Sequence, residues 1–320
     1  MRPSPRRGQR RHGARCQRLR WVRIAASAGV SVNPAPGWRG SRGRWKGGWK
    51  RVSACKTQNG VVGGGTIWGL RIDGPARGED NMAADLAVAQ AVGAGRLPPT
   101  LRLYSWTPPA VSIGLHQDAE RACDVAACRA AGWDVVRRPT GGRAVLHAAD
   151  ELTYAVVLPL ALAPEGVRAA YAWIGAALVT AYRALGVDAA LAEGRRLTAR
   201  SGACFDAPAA HEVVCGGRKL AGSAQLRHAG FLLQHGSLPM RLDAALHARL
   251  LGLGPDAAGV LVERAAGLGD ICPGVTRSDL ERAVVHGFEQ ALGVRFENAG
   301  SGAGTPAGTG RAGIAAVSEA

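Results

Sequence analysis

Acid is missing from the start of this chain. Of its 320 residues, the first 60 hold 16 Lys and Arg and no Asp or Glu, while the net charge of the whole is +16. Residues 61–320 carry 24 basic and 24 acidic residues, so the basic excess belongs to one end. The neutral remainder offers no stripe of charge that could track phosphates, which argues against a nucleic-acid-binding protein. Also missing is any apolar run of the roughly 18–20 residues that a membrane helix needs. The most apolar stretch, 169–182, is closed by Arg168 and Arg183 and reads as a buried helix. The seven cysteines are odd in number, and no secretory apolar segment with a cleavage site accompanies them. That excludes a disulfide framework and predicts free thiols in a reducing, cytoplasmic setting. Cys123 and Cys128, five residues apart, would sit on different faces of one helix and lack a second Cys/His pair, so no metal site is expected. Neither G-x-x-x-x-G-K-[ST] nor a G-x-G-x-x-G after a strand occurs, so the common nucleotide-binding signatures are absent.

What is present divides into three parts. Residues 1–65 are rich in Arg, Gly, Pro and Trp and end in Gly63-Gly64-Gly65. Without apolar periodicity they are not expected to fold alone. They read as an inert extension or an early start, ahead of a targeting presequence or a basic tail for nucleic acid. Residues 298–320, rich in Gly, Ala and Thr, read as a flexible tail. Between them, 66–297 read as one catalytic domain of α+β class. Helices are predicted from Asn81 as cap to Gly93, over Asp118–Ala131, Glu165–Leu185, Asp243–Leu250 and Ser278–Leu292. Strands are predicted at Leu101–Trp106, Ala110–Gly114, Trp133–Arg137, Arg143–His147, Glu151–Leu158 and Phe231–Leu238. A hairpin joins His211–Cys215 to Arg218–Gln225 across Gly216-Gly217.

Three stretches could carry chemistry. The loop Arg137-Arg138-Pro139-Thr140-Gly141-Gly142-Arg143 offers glycine backbone for close approach and fixed positive charge for a carboxylate or phosphate; it could equally be a turn with solvated arginines. Cys204 sits in the polar segment Ser201–Asp206, unlike the usual buried cysteine, and is a candidate nucleophile. A cation about 4 Å away at an effective dielectric near 20 is worth about 4 kcal/mol, enough to move a thiol toward neutrality. Ala221-Gly222-Ser223-Ala224 places small residues in succession along a strand. Such a run marks a slot for an extended ligand or close helix packing. His147 and His235 read as packing or backbone-bonded histidines, Cys215 as structural, and Trp106 and Tyr154 as core or pocket wall.

The segments YSWTPPAVSIGLHQ (104–117), RRPTGGRAVLH (137–147), ELTYAVV (151–157), GRKLAGSAQ (217–225) and QHGSL (234–238) together resemble the biotin/lipoate protein ligase and transferase family. The likeness spans about 66–297. It implies the α/β catalytic fold shared with class II aminoacyl-tRNA synthetase-like enzymes, a mixed sheet with flanking helices. Within the family, ACFDAP (203–208) is similar to octanoyltransferases of the LipM type. There the cysteine, here Cys204, carries the acyl group as a thioester, and the lysine, here Lys219, lowers its pKa. The loop residues Arg138, Thr140, Gly141 and Gly142 and the strand residues Gly222, Ser223 and Ala224 would line the acyl pocket. The implied activity moves octanoyl from acyl carrier protein to a lysine of a lipoyl domain such as the glycine cleavage H protein, without ATP or another cofactor. An ATP-dependent lipoate–protein ligase is the alternative that the same resemblance allows; the short stretch after the core does not favour it. Two positions depart from the pattern: His211 replaces the usual aromatic, and Ala148 replaces the acid that often follows the histidine.

Overall fold

The computed structural model describes residues 66–193, 211–228, 230–254 and 256–298. The expectations for residues 1–65, for 299–320 and for Cys204 with its loop lie outside the described residues. The domain opens with β1 (Thr66–Ala76), α1 (Gly78–Gly93), β2 (Thr100–Trp106) and β3 (Ala110–Ile113). Two short helices, α2 (Ala119–Ala122) and α3 (Val125–Ala130), lead to β4 (Asp134–Arg137), β5 (Val145–His147) and β6 (Leu152–Pro159). Next come α4 (Val167–Ala184), β7 (Ala189–Leu191), β8 (Val213–Cys215) and β9 (Arg218–Lys219). After β10 (Gly222–His228) and β11 (Phe231–Leu238), the chain forms α5 (Ala244–Leu250), α6 (Ala257–Arg264), α7 (Leu268–Ile271), α8 (Arg277–Leu292) and β12 (Val294–Asn298).

Six strands make the main sheet in the order β10-β11-β6-β2-β1-β12, with β6 antiparallel to both neighbours and β1 parallel to both of its own. Strand β6 is buried from Leu152 to Leu158, as its largely apolar run requires of a strand covered on both faces. On one face, Trp68, Leu103, Tyr154 and Val156 meet Ile174 and Leu178 of α4 and Phe288 of α8. The two helices approach closely because a Cβ at Gly287 would strike the carbonyl of Ala177. On the other face, Val88, Ala89 and Val92 of α1 cover Trp106, Val157 and Leu233. Two three-stranded sheets, β4-β3-β5 and β7-β8-β9, stand beside the main one. The α+β expectation holds.

Local readings failed where side chains serve tertiary contacts. Helix α1 starts at Gly78, not after Asn81, because the buried Asn81 amide donates to the carbonyls of Ala76 and Ser105 instead of capping. The single helix expected over 118–131 is two, each with its own aspartate cap: Asp118 accepts from Arg121 N and Asp124 from Ala127 N. As a result Cys123 and Cys128 share one apolar cluster rather than facing apart. Burial pushes both thiols up, Cys128 to about 12. The strand expected over 218–225 breaks at Leu220-Ala221, so that β9 completes the hairpin while β10 joins the main sheet. Strands β1 and β12 had no clear pattern: β1 carries Gly69, Gly74 and Pro75 with a register shift, and β12 is a short edge strand whose last residue enters the stretch read as tail.

Candidate active site

Where the ends of β2, β6, β10 and β11 face β3 and β5, they enclose a cavity of about 400 Å³, counting its open mouth. Gly222, Ser223 and Ala224 form one wall, with Arg138, Gly142, Val145 and Trp106 among the others. The wall depends on small residues. Ser223 pairs with Gly236 across β10 and β11, and a Cβ on Gly236 would come within 2.6 Å of the Tyr154 ring and 2.7 Å of the Gly222 carbonyl. The Ser223 hydroxyl is held 2.7 Å from the Tyr154 hydroxyl. Ala221 instead belongs to the apolar core. Gly141 and Thr140 are in the loop but outside the lining.

Two of the loop's three arginines, Arg137 and Arg138, are turned toward the protein's own backbone. Arg138 is buried, and its guanidinium donates to the carbonyls of Ser112 (2.9 Å), Gly141 (2.8 Å) and Arg143 (2.7 Å) and to the hydroxyls of Ser112 and Thr140. Arg137 Nη1 lies 2.7–2.9 Å from the carbonyls of Gly114, Leu115 and Gln117. Both clamp backbone. Gly142 turns with φ of 94°, and its carbonyl fills the space a side chain on Gly114 would need.

Two buried chains of hydrogen bonds reach this clamp. In one, Asp85 Oδ2 lies 2.8 Å from His235 Nδ1, and His235 Nε2 lies 2.7 Å from Thr140 Oγ1. Burial by itself would raise the Asp85 pKa; the hydrogen bond and charge of His235, with the Arg102 guanidinium at 2.7 Å, outweigh it and hold the carboxyl below its usual range. Burial and the Asp85 charge push the Tyr104 phenol well up, so it stays protonated and donates to Asp85 at 2.8 Å. In the other chain, Glu151 Oε1 lies 2.7 Å from His147 Nδ1, and His147 Nε2 lies 2.8 Å from Ser112 Oγ. Trp106 stacks on the His147 ring at 4.0 Å. The sequence suggested packing or backbone bonding for both histidines. Both instead bridge a carboxylate to a hydroxyl, and both line the cavity. Their carboxylates, Asp85 and Glu151, went unnoticed in the sequence.

Lys219 is 1 % exposed, and its Nζ lies 2.6 Å from Glu212 Oε1. Glu212 was also missed, although the hairpin register would have found it. Gly216-Gly217 pairs Cys215 with Arg218 and Val214 with Lys219, which sets Glu212 diagonally opposite Lys219 on the same face. At the neighbouring Cys215, burial pushes the thiol up, as suits a packed residue. Among the described residues, no three His, Cys, Asp or Glu side chains are grouped to hold a metal ion, and no helix is long and apolar enough to cross a membrane.

Residues 77–289 match the lipoyl protein ligase A/B catalytic domain. The chain belongs to this family. Among curated relatives in the family, octanoyltransferase LipM of Kyrpidia tusciae is 43% identical over 244 residues, covering 72% of this chain and 89% of its own. Octanoyltransferase LipM of Symbiobacterium thermophilum is 47% identical over 194 residues, 59% of this chain and 70% of its own. Among solved structures, a lipoate-protein ligase A bound with ATP superimposes with a TM-score of 0.61 at 24% identity, covering 73% of this chain and 88% of that one. A bipartite lipoate protein ligase of Thermoplasma acidophilum, described with its E2 lipoyl domain, gives 0.59 at 25%, covering 73% of this chain and 86% of that one. The lipoyl ligase fold is therefore the fold of this domain.

Proposed function

We propose that the protein moves an octanoyl group from acyl carrier protein to a lysine of a lipoyl domain, holding it on Cys204 as a thioester in between. The observation that carries this reading is the buried Lys219, an ammonium that leads within three residues into the small-residue wall of the cavity. The relatives named octanoyltransferase support it. In the first half, the Cys204 thiolate attacks the carrier thioester; a new C–S bond forms, the old one breaks, and the carrier sulfur leaves with the electron pair as a thiolate. One thioester replaces another, so the step is close to balanced. In the second half, the acceptor amine attacks and the more stable amide forms, which draws the transfer forward without ATP. With Glu212 at 2.6 Å, Lys219 acts as a fixed cation beside the thiolate rather than as a base. Arg138, Thr140, Gly141 and Gly142 shape the loop, and Gly222, Ser223 and Ala224 leave room for the chain. In this reading the transfer runs in the cytoplasm, with a protein such as the glycine cleavage H protein as acceptor.

The second reading, an ATP-dependent lipoate–protein ligase, has the fold in its favour. Against it, Arg137 and Arg138 of the loop are turned toward backbone carbonyls. The experiment is intact-mass analysis after mixing with octanoyl-carrier protein and then with the lipoyl domain. An octanoyl adduct on Cys204 that the acceptor discharges, absent in Cys204→Ala and retained in Cys215→Ala, is expected. Full activity of Cys204→Ala, or strict dependence on ATP with the free acid as donor, would replace this reading with the ligase.

A further inference from the structure

The polar side chains that line the cavity have their hydrogens committed elsewhere. Tyr104 donates to Asp85 at 2.8 Å, and His235 Nδ1 lies 2.8 Å from the same carboxylate. The Arg138 guanidinium gives its N–H groups to the carbonyls and hydroxyls of its own loop and of Ser112. Trp106 Nε1 donates to the Thr153 hydroxyl at 2.8 Å, and the hydrogens of Thr153 and Ser237 go to Glu151 at 2.6 and 2.7 Å. Glu151 also holds the His147 proton on Nδ1, at 2.7 Å, so that Nε2 accepts from Ser112 at 2.8 Å. Ser223 turns its hydroxyl to Tyr154, which packs in the core on the opposite face of the sheet. Among the described residues, no buried side-chain atom left without a partner belongs to this wall.

Glu151 takes the hydrogens of His147, Thr153 and Ser237 together. It is 1 % exposed, and an ionised carboxylate only accepts. What the side chains leave toward the cavity is carbon and oxygen lone pairs, and neither can bond an oxygen that itself only accepts. A ketone buried there loses its hydrogen bonds to water and gains none in return. We infer that Glu151 sets the selectivity of the cavity: by drawing these hydrogens into the wall, it admits a bare hydrocarbon chain and refuses one that carries a ketone. This rests on the octanoyl reading above only in that the acyl chain occupies this cavity, and it does not depend on which group attacks the donor. Glu151 is a positioning residue, outside the lining, that acts through three residues within it. An amide in its place reverses one bond. In Glu151→Gln, Oε1 keeps His147 and Thr153, while Nε2 donates to Ser237 and releases the serine's own hydrogen to the cavity. The other amide hydrogen has a second cavity to turn to, about 580 Å³ counting its mouth, which residue 151 also lines.

The test sets octanoyl-carrier protein against 6-oxo- or 7-oxooctanoyl-carrier protein in one reaction and weighs the acylated lipoyl domain. A ketone replaces a methylene with little change of length, so the ratio reads hydrogen bonding rather than shape. The wild type should prefer octanoyl to either ketone by about 30-fold, equivalent to about 2 kcal/mol for a buried group without a partner. In Glu151→Gln that preference should fall at least about fivefold for one of the two ketones, the worth of one hydrogen bond. Adding Ser237→Ala should restore it. A general loss of folding lowers both products and leaves their ratio, and the wild-type ratio needs no variant at all. A wild type that takes the ketones as readily as octanoyl would overturn the inference. So would a preference that Glu151→Gln leaves in place, or one that stays lowered once Ser237 is also replaced. If no octanoyl reaches the lipoyl domain from the carrier, the transfer reading falls instead; the competition then uses the free acids with ATP, and the same ratios decide the role of Glu151.

Discussion

Glu212 and Lys219 face each other at 2.6 Å across the β8–β9 hairpin, both almost wholly buried. Removing one member of such a pair costs about 3–5 kcal/mol, whereas replacing both can be neutral. Lys219→Ala alone therefore confounds folding with chemistry. The double variant Glu212→Gln with Lys219→Met should melt close to the wild type while transferring octanoyl at less than about 10% of its rate, since each lost pKa unit of thiolate stabilisation is about tenfold. Alkylation rates of Cys204 across pH should show its thiol titrating at least about one unit higher in that variant. An unchanged thiol titration would end the role assigned to Lys219.

Asp85 gives a stability prediction with a definite sign. Its folded pKa lies below the unfolded value of about 3.9, so it contributes stability above that pH and loses it as pH falls through the folded value. Asp85→Asn takes the counter-charge from the buried Arg102 and the partner from His235, at a cost of about 3–5 kcal/mol near pH 7. Urea unfolding at pH 7 and pH 3 should show the gap between variant and wild type narrowing at the lower pH. A gap that stays constant would show that the carboxylate charge is not the source.

The start of β1 sets where the chain can be cut. Trp68 is fully buried against Trp173, Phe288 and Phe296. Deleting residues 1–65 should leave the melting temperature within about 2 °C and keep the transfer rate. Deleting 1–69 removes Trp68 and should cost about 3–5 kcal/mol. A large loss on the shorter deletion would give the basic segment a role in the fold or the reaction.

Much of the cavity wall was readable because it is written in glycine and in β-strand patterns. Gly142 and Gly222-Ser223-Ala224 signal close backbone approach whatever surrounds them, and β6 announces itself by its largely apolar run. The buried chain from Glu151 through His147 to Ser112 was not readable. Ser112, His147 and Glu151 come from β3, β5 and the turn before β6, and nothing local at any of them signals that the three meet. The arginines were misread for a related reason: residue type reports charge, but whether a guanidinium meets a ligand or three carbonyls depends on the loop around it. Glu212 was within reach, since a two-residue glycine turn fixes the register that brings it to Lys219.

Ala224 is the position from which the cavity's length can be measured. It lines the wall beside Ser223 and pairs with His235 on β11. Leucine there projects three more carbons into the space that an octanoyl chain running along β10 would fill. Each buried methylene is worth about 0.8 kcal/mol, or about fourfold, so the wild type should prefer octanoyl over hexanoyl carrier protein by about 15-fold. In Ala224→Leu that preference should vanish or reverse, because the longer chain loses contact while the shorter one still fits. Competing the two donors in one reaction and weighing the acyl-enzyme reads the ratio directly, and a general loss of folding would lower both adducts without changing it. A variant that keeps the 15-fold preference would move the acyl chain away from β10.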